Sequence, residues 1–218
     1  MSATMWIVGS AAVALAAYAL WFIRLLRFVI RPTDGPVILA ERDKRALLLV
    51  DMQREHFEGA RPMDADRLLA AVKAAIEKGR AAGHPVIAPR HGWQTPGRRS
   101  MSRMMPGGKG PAWVVGTEIH PEIAGQAVHI VTKRMRDGFE NPELGALLDR
   151  SEVGRLQIAD LDRCFCVKKT ALSAANRGYR VELLTDAIVT ARPDEWRAWL
   201  ARLPERIVPA VPAAPAST

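Results

Sequence analysis

Three side chains of the types that acyl transfer requires stand beside apolar runs in this chain. Asp51 directly follows Ala46-Leu47-Leu48-Leu49-Val50. Lys133 directly follows the run from Ala127 to Thr132, and Cys166 comes shortly after Leu156 to Ala159. An ordinary thiol has a pKa near ~8.5, and the thiolate is the nucleophile. A helix amino terminus and a nearby ammonium both lower that pKa, and Lys133 would supply the ammonium. Asp51 would take the thiol proton and later deliver it to a leaving amine. Backbone N–H groups in the turn before Cys166 would hold the oxyanion of a tetrahedral intermediate. Taken singly, each residue also has a plain structural reading: a cap after a strand, a solvated amine, a small buried hydrophobe. Their joint placement carries more information than any one of them.

The elements that must position them alternate along the chain. Ala46–Val50 is a continuous apolar run, as expected for a strand buried on both faces. Asp64–Gly83 reads as a helix with Leu68, Leu69, Val72 and Ile76 on its apolar stripe. Pro85–Ala88, Ala127–Thr132, Leu156–Ala159, Val181–Leu184 and Arg206–Val208 read as further strands. Asn141–Arg150, Cys166–Arg177 and Pro193–Leu203 read as helices, the last with a proline near its start. Residues 91–122 form a long irregular stretch rich in glycine, a length that is usually functional inside a compact domain. The alternation predicts an α/β fold with a mainly parallel sheet covered on both faces. Sites in such sheets lie at the carboxyl ends of the strands, which is where Asp51, Lys133 and Cys166 fall.

Composition narrows the class. Lys plus Arg is 31 and Asp plus Glu is 23, a formal charge of +8, with 49% apolar and 25% charged residues. That balance is globular and excludes wholesale disorder. Cys164 and Cys166 are too close for an unstrained disulfide and no third cysteine exists, so a disulfide scaffold and a cysteine-rich zinc module are excluded. A nucleic-acid partner is not expected, because the basic residues form no recognisable binding module. Arg98, Arg99, Arg103 and Lys109 in the long loop read as a solvated face in preference to an anion-binding lid.

The amino terminus carries a different signal. Met5–Ile23 is 19 residues without a charge, about 28 Å as a helix against the ~30 Å of a bilayer core. Trp6 stands near one end, Tyr18, Trp21 and Phe22 near the other, and Arg24, Arg27 and Arg31 follow. This pattern predicts one transmembrane helix, with the amino terminus outside and a cytoplasmic domain held single-pass at the inner membrane. Ala17-Tyr18-Ala19 has the form of a signal-peptide cleavage site, but no basic region precedes the run. The organisation expected is a 1–31 anchor, a 32–44 linker, a 45–208 domain and a disordered 209–218 tail.

The motifs around the three residues resemble those of the isochorismatase-like cysteine hydrolases. They are Leu47-Leu48-Leu49-Val50-Asp51-Met52-Gln53 with Phe57; Gly116-Thr117-Glu118-Ile119; Val131-Thr132-Lys133 with Phe139 and Leu144; Cys166-Val167-Lys168-Lys169-Thr170-Ala171 with Ala174 and Arg177-Gly178-Tyr179; and Thr185-Asp186-Ala187. The likeness runs in order from about residue 45 to 190. It implies a three-layer sandwich around a six-stranded parallel sheet. It also implies an Asp51–Lys133–Cys166 triad, with Cys166 and not Cys164 as nucleophile. The oxyanion donors would be the backbone N–H groups of Asp162 and Cys166, beside a cis peptide within Leu161-Asp162-Arg163.

Two positions depart from the family pattern. Asp160 stands where glycine is usual, and Arg163 where a small residue or Thr is usual. The family's metal-binding members carry an Asp-x-His pair after the second strand, absent from Arg90-His91-Gly92-Trp93-Gln94. One histidine is too few for a zinc site, so no metal and no cofactor is expected. Phe57, His91, Trp93, Trp113 and Phe139 are candidates for the pocket wall. Because the cysteine is present, the resemblance implies hydrolysis of a C–N bond in a small-molecule amide. The alternative is an inactive domain serving as an anchored binding module. Family members often self-associate, so a homo-oligomer fits the resemblance.

Overall fold

A computed structural model of the chain describes residues 13–24, 31–38, 41–92, 117–126, 129–133, 137–161 and 165–210. The chain divides into two units, Met1–Arg31 and Pro32–Thr218. In the first, residues 13–24 form helix α1. Twelve residues rise about 18 Å, well short of the ~30 Å of a bilayer core. Among the described residues no helix is long and apolar enough to cross a membrane. This overturns the transmembrane helix expected from the Met5–Ile23 run, and with it the single-pass inner-membrane topology. A charge-free run gives hydropathy, but the span of the helix decides whether a bilayer can be crossed.

The second unit is built on six strands: β1 Lys44–Val50, β2 Val86–His91, β3 His129–Lys133, β4 Val153–Leu161, β5 Arg180–Val189 and β6 Ile207–Ala210. They form one sheet in the order β3-β2-β1-β4-β5-β6, and every pairing is parallel. The helices are α2 Arg54–Glu58, α3 Pro62–Ala81, α4 Pro121–Ala124, α5 Pro142–Arg150, α6 Phe165–Asn176 and α7 Pro193–Leu200, with a 3-10 turn at Gly138–Glu140.

Alternation along β1 explains the layering. Ala46, Leu48 and Val50 pack in one cluster with Leu144 and Leu148 of α5, Val167 and Ala171 of α6, and Trp196 of α7. Leu47 and Leu49 pack in the other with Phe57 of α2, Leu68, Val72 and Ile76 of α3, and Ile123 of α4. Side chains of a strand point alternately to the two faces, so an unbroken apolar run belongs to a strand covered on both. The sandwich is therefore three layers, helices–sheet–helices.

Several strands outrun their apolar stretches. Lys133 is the last residue of β3 instead of the first beyond it. β4 continues through Asp160 to Leu161, and β5 through Asp186 to Val189. Backbone pairing with a central neighbour keeps a polar residue in the strand where hydropathy would end it. Residues 32–38 lie against the domain. The Thr33 N–H donates to Asp137 Oδ2 and Ser173 Oγ, and the Arg177 guanidinium donates to the carbonyls of Thr33 and Asp34. The tail from 211 onward lies outside the described residues.

The tightest backbone approach is at Gly154 near the start of β4, where a Cβ would sit 2.0 Å from the Arg42 carbonyl oxygen. Gly154→Ala should destabilise the domain by about 2 kcal/mol or more, since the obstruction is main chain and cannot rotate away. A urea unfolding curve checks this, and an unchanged midpoint would show that residue 42 moves freely.

Candidate active site

Asp51 is the first residue beyond β1, and it turns the chain in the left-handed region at φ 53°. Aspartate is one of the few side chains that tolerates that region. Its backbone is held at three points. Its N–H donates to the Pro89 carbonyl at 3.0 Å, and its carbonyl accepts from the Gln53 N–H at 2.8 Å. The same carbonyl lies 2.6 Å from His56 Nδ1, which donates to it.

Gln53 ties the neighbouring segments to this turn. Its Nε2 donates to the carbonyls of His91 and Thr117 at 3.0 and 2.8 Å, and its Oε1 accepts from the His91 N–H at 2.7 Å. It also forms an antiparallel bridge with Ile119. One fully buried amide thus joins the exits of β1 and β2 to the 117–119 segment.

Lys133 reaches Asp51 across β2. Its Nζ donates to Asp51 Oδ2 at 2.8 Å, and the two side chains are 0% and 1% exposed. Burial alone would push the Lys133 ammonium down, but the charges of Asp51, Cys166 and Asp160 and the bond to Asp51 outweigh it. The group is held well above the ordinary lysine range. Cys166 is the second residue of α6, within the first turn, and is buried. The helix dipole there favours a negative charge on sulfur.

Among the candidate pocket residues, His91 ends β2 in register with Lys133. Phe57 lies in the cluster under α2 and α3, its ring 4.6 Å from that of His120. Phe139 lies in the opposite cluster, with the Arg177 guanidinium over its ring at 4.8 Å. Trp93, Trp113, Asp162, Arg163 and Cys164 lie outside the described residues, and so does the peptide bond between Asp162 and Arg163 in the Leu161-Asp162-Arg163 stretch where a cis peptide was expected. Three residues about the site carry more than the sequence reading assigned them: Gln53, His56 and the buried Asp160. The Asp51-x-Gln53 spacing was a visible signal for the first. His56 and Asp160 act through tertiary neighbours that no local pattern announces.

Comparison with known proteins agrees with this architecture. The family model for the isochorismatase domain matches residues 45–214, and the chain belongs to the isochorismatase family. It is similar to a streptothricin hydrolase of Streptomyces noursei, 32% identical over 158 residues covering 72% of this chain and 58% of that protein. The chain spans little more than half the length of the curated relatives it matches. Among solved structures it resembles N-carbamoylsarcosine amidase from Thermoplasma acidophilum, at TM-score 0.65 and 26% identity over 77% of this chain and 95% of that one. It also resembles the pyrazinamidase of Pyrococcus horikoshii in complex with zinc, at TM-score 0.62 and 26% identity over 77% and 99%. For such an ion, no group of three His, Cys, Asp or Glu side chains stands ready among the described residues.

The ion pair makes a stability prediction. Lys133→Met should cost about 3–5 kcal/mol, because it leaves the Asp51 carboxylate buried without its cation. Adding Asp51→Asn, which keeps a side chain suited to the left-handed turn, should recover much of that loss. Urea unfolding of the single and double variants tests both statements, and a double variant no more stable than Lys133→Met would contradict the second.

Proposed function

We propose that this chain is an amidohydrolase that cleaves a C–N bond of a small-molecule amide through a Cys166 thioester. The observation that carries the reading is the dry Asp51–Lys133 pair at the strand exits, beside a helix whose first turn holds a cysteine. The relatives' names, a streptothricin hydrolase, an N-carbamoylsarcosine amidase and a pyrazinamidase, support the reaction class.

Each group has one task in this reading. Asp51 accepts the proton of Cys166 Sγ, and the sulfur attacks the carbonyl carbon of the amide. Lys133 holds the Asp51 carboxylate in place and offsets the negative charge as it moves from carboxylate to sulfur. Backbone N–H groups of Cys166 and Asp162 receive the oxyanion. The tetrahedral intermediate collapses, the C–N bond breaks, and the amine leaves with the proton that Asp51 carried. Water then adds to the thioester with Asp51 again as base, releasing the carboxylate and the thiol.

The reaction is proposed to run without a metal. The sequence after β2, Arg90-His91-Gly92-Trp93-Gln94, lacks the paired acid and histidine of the metal-binding members.

Streptothricin, N-carbamoylsarcosine and pyrazinamide form the first substrate panel. Quenched turnover followed by intact-mass measurement should show an acyl adduct on Cys166. Cys166→Ala should lower kcat/KM roughly a thousandfold or more. Turnover of any of these amides by Cys166→Ala at the wild-type rate would refute the mechanism. Dialysis against a chelator should leave kcat/KM within about twofold; loss of activity restored by a divalent ion would refute metal independence.

A further inference from the structure

Cys166 heads a polar stripe of α6. Thr170 and Ser173 follow it at four and seven residues, and Arg177, just past the helix end, follows at eleven. That spacing puts all four on one side of the helix. A buried helix face is ordinarily apolar, yet Thr170 and Ser173 are fully buried. Each member after Cys166 is bonded to a segment outside α6. Thr170 Oγ1 accepts from the Gly138 N–H at 3.0 Å. Ser173 Oγ donates to Asp137 Oδ2 at 2.5 Å and accepts from the Thr33 N–H at 2.8 Å. The Arg177 guanidinium donates to the carbonyls of Thr33 and Asp34 at 2.6 and 2.8 Å.

These bonds meet at Asp137, a buried residue four positions beyond Lys133. Its Oδ2 also accepts from the Thr33 N–H at 3.0 Å and the Thr33 hydroxyl at 2.6 Å, and its Oδ1 accepts from the Phe139 N–H at 2.9 Å. Hydrogen bonds to a carboxylate are roughly twice as strong as those between neutral groups. The 3-10 turn that follows is tied back to β3, where Asn141 Nδ2 donates to the carbonyl of Thr132, the residue before Lys133, at 3.0 Å. Phe139 of that turn packs in the same cluster as Cys166. One hub therefore joins the strand that carries Lys133, the helix that carries Cys166 and the 33–35 segment. That segment lies close in, since a Cβ on Gly35 would sit 2.7 Å from the Arg177 guanidinium. It also precedes the residues matched to the family domain, 45–214.

We propose that Asp137 is a positioning residue which, clamped by Thr33, fixes the rotation of α6 about its axis and so sets the direction in which Cys166 presents its sulfur. The 33–35 segment is then a working part of the catalytic unit, although it stands before the family domain. This role rests on the reading of Cys166 as nucleophile and goes beyond it. Acyl transfer is sensitive to such placement: a shift of about 1 Å at the reacting atoms costs roughly a hundredfold in rate.

Two reagents separate placement from general loosening. p-Nitrophenyl acetate gives its acetyl group to the sulfur and loses p-nitrophenolate, which requires the sulfur to be aligned with its base and oxyanion donors. Iodoacetamide alkylates an accessible thiolate by displacement of iodide and needs neither. Both are applied to the full chain with Cys164→Ser, which leaves Cys166 as its one thiol. Asp137→Asn should slow acetylation about tenfold and Thr33→Val about threefold, with alkylation within about twofold of the parent. Thr33→Ser, which keeps the hydroxyl, should restore the parent acetylation rate. Folded variants that are acetylated as fast as the parent, or whose two rates fall together, would overturn the proposal. Should Asp137→Asn not fold, the two Thr33 variants decide, because they leave the bond between Ser173 and Asp137 in place. A parent chain that releases p-nitrophenolate no faster than its Cys166→Ala variant removes the nucleophile, and the clamp with it. A parent acetylated on Cys166 beside variants that match it removes the clamp alone.

Discussion

An ammonium and a carboxylate 2.8 Å apart and withdrawn from water constrain the whole domain. Their attraction barely repays the loss of hydration, so the pair adds little net stability and must be held by everything around it. The surroundings do this in identifiable ways. Apolar residues close both faces of β1, the left-handed turn at Asp51 aims the carboxylate, and Gln53 fastens the adjoining segments. Stability comes from the two apolar clusters, and the pair uses it to keep two charged groups in one geometry. A side chain held so closely keeps its position while a proton moves on and off it.

Sheet order explains why the cation is a lysine at that place. β2 lies between β3 and β1, so Lys133 and Asp51 start two strand spacings apart, roughly 10 Å. A long unbranched side chain from one and a short one from the other close that distance over the end of β2. β2 ends at His91, and the Gly92 N–H donates back to the Lys133 carbonyl at 3.0 Å. The bond that finishes the β2–β3 ladder thus fixes the root of the catalytic candidate whose tip must cross β2.

Much of this was legible in the residues. Continuous apolar runs marked buried strands, and Gly83 and Pro193 marked helix ends near where they lie. The rule that sites gather at strand exits points to Asp51, Lys133 and Cys166 from the sequence, and the structure brings Asp51 and Lys133 into contact. Strand length was less legible, because Lys133 and Asp160 are charged, and a hydropathy reading stops at a charge that a backbone ladder passes through. The short helices α2 and α4 escaped because they are too brief to show a period, and their start is set by the turn at Asp51 and by Pro121. The amino-terminal run misled for a different reason. It satisfies a criterion of length in sequence, whereas the helix described there covers only 13–24.

Asp160 shows how a local departure acquires meaning only from the sheet. Read along the chain, an acid in place of a glycine is a change of size at a strand exit. Placed in the sheet, it is a second carboxylate one strand from the first, on the face where the thiol and the ammonium stand.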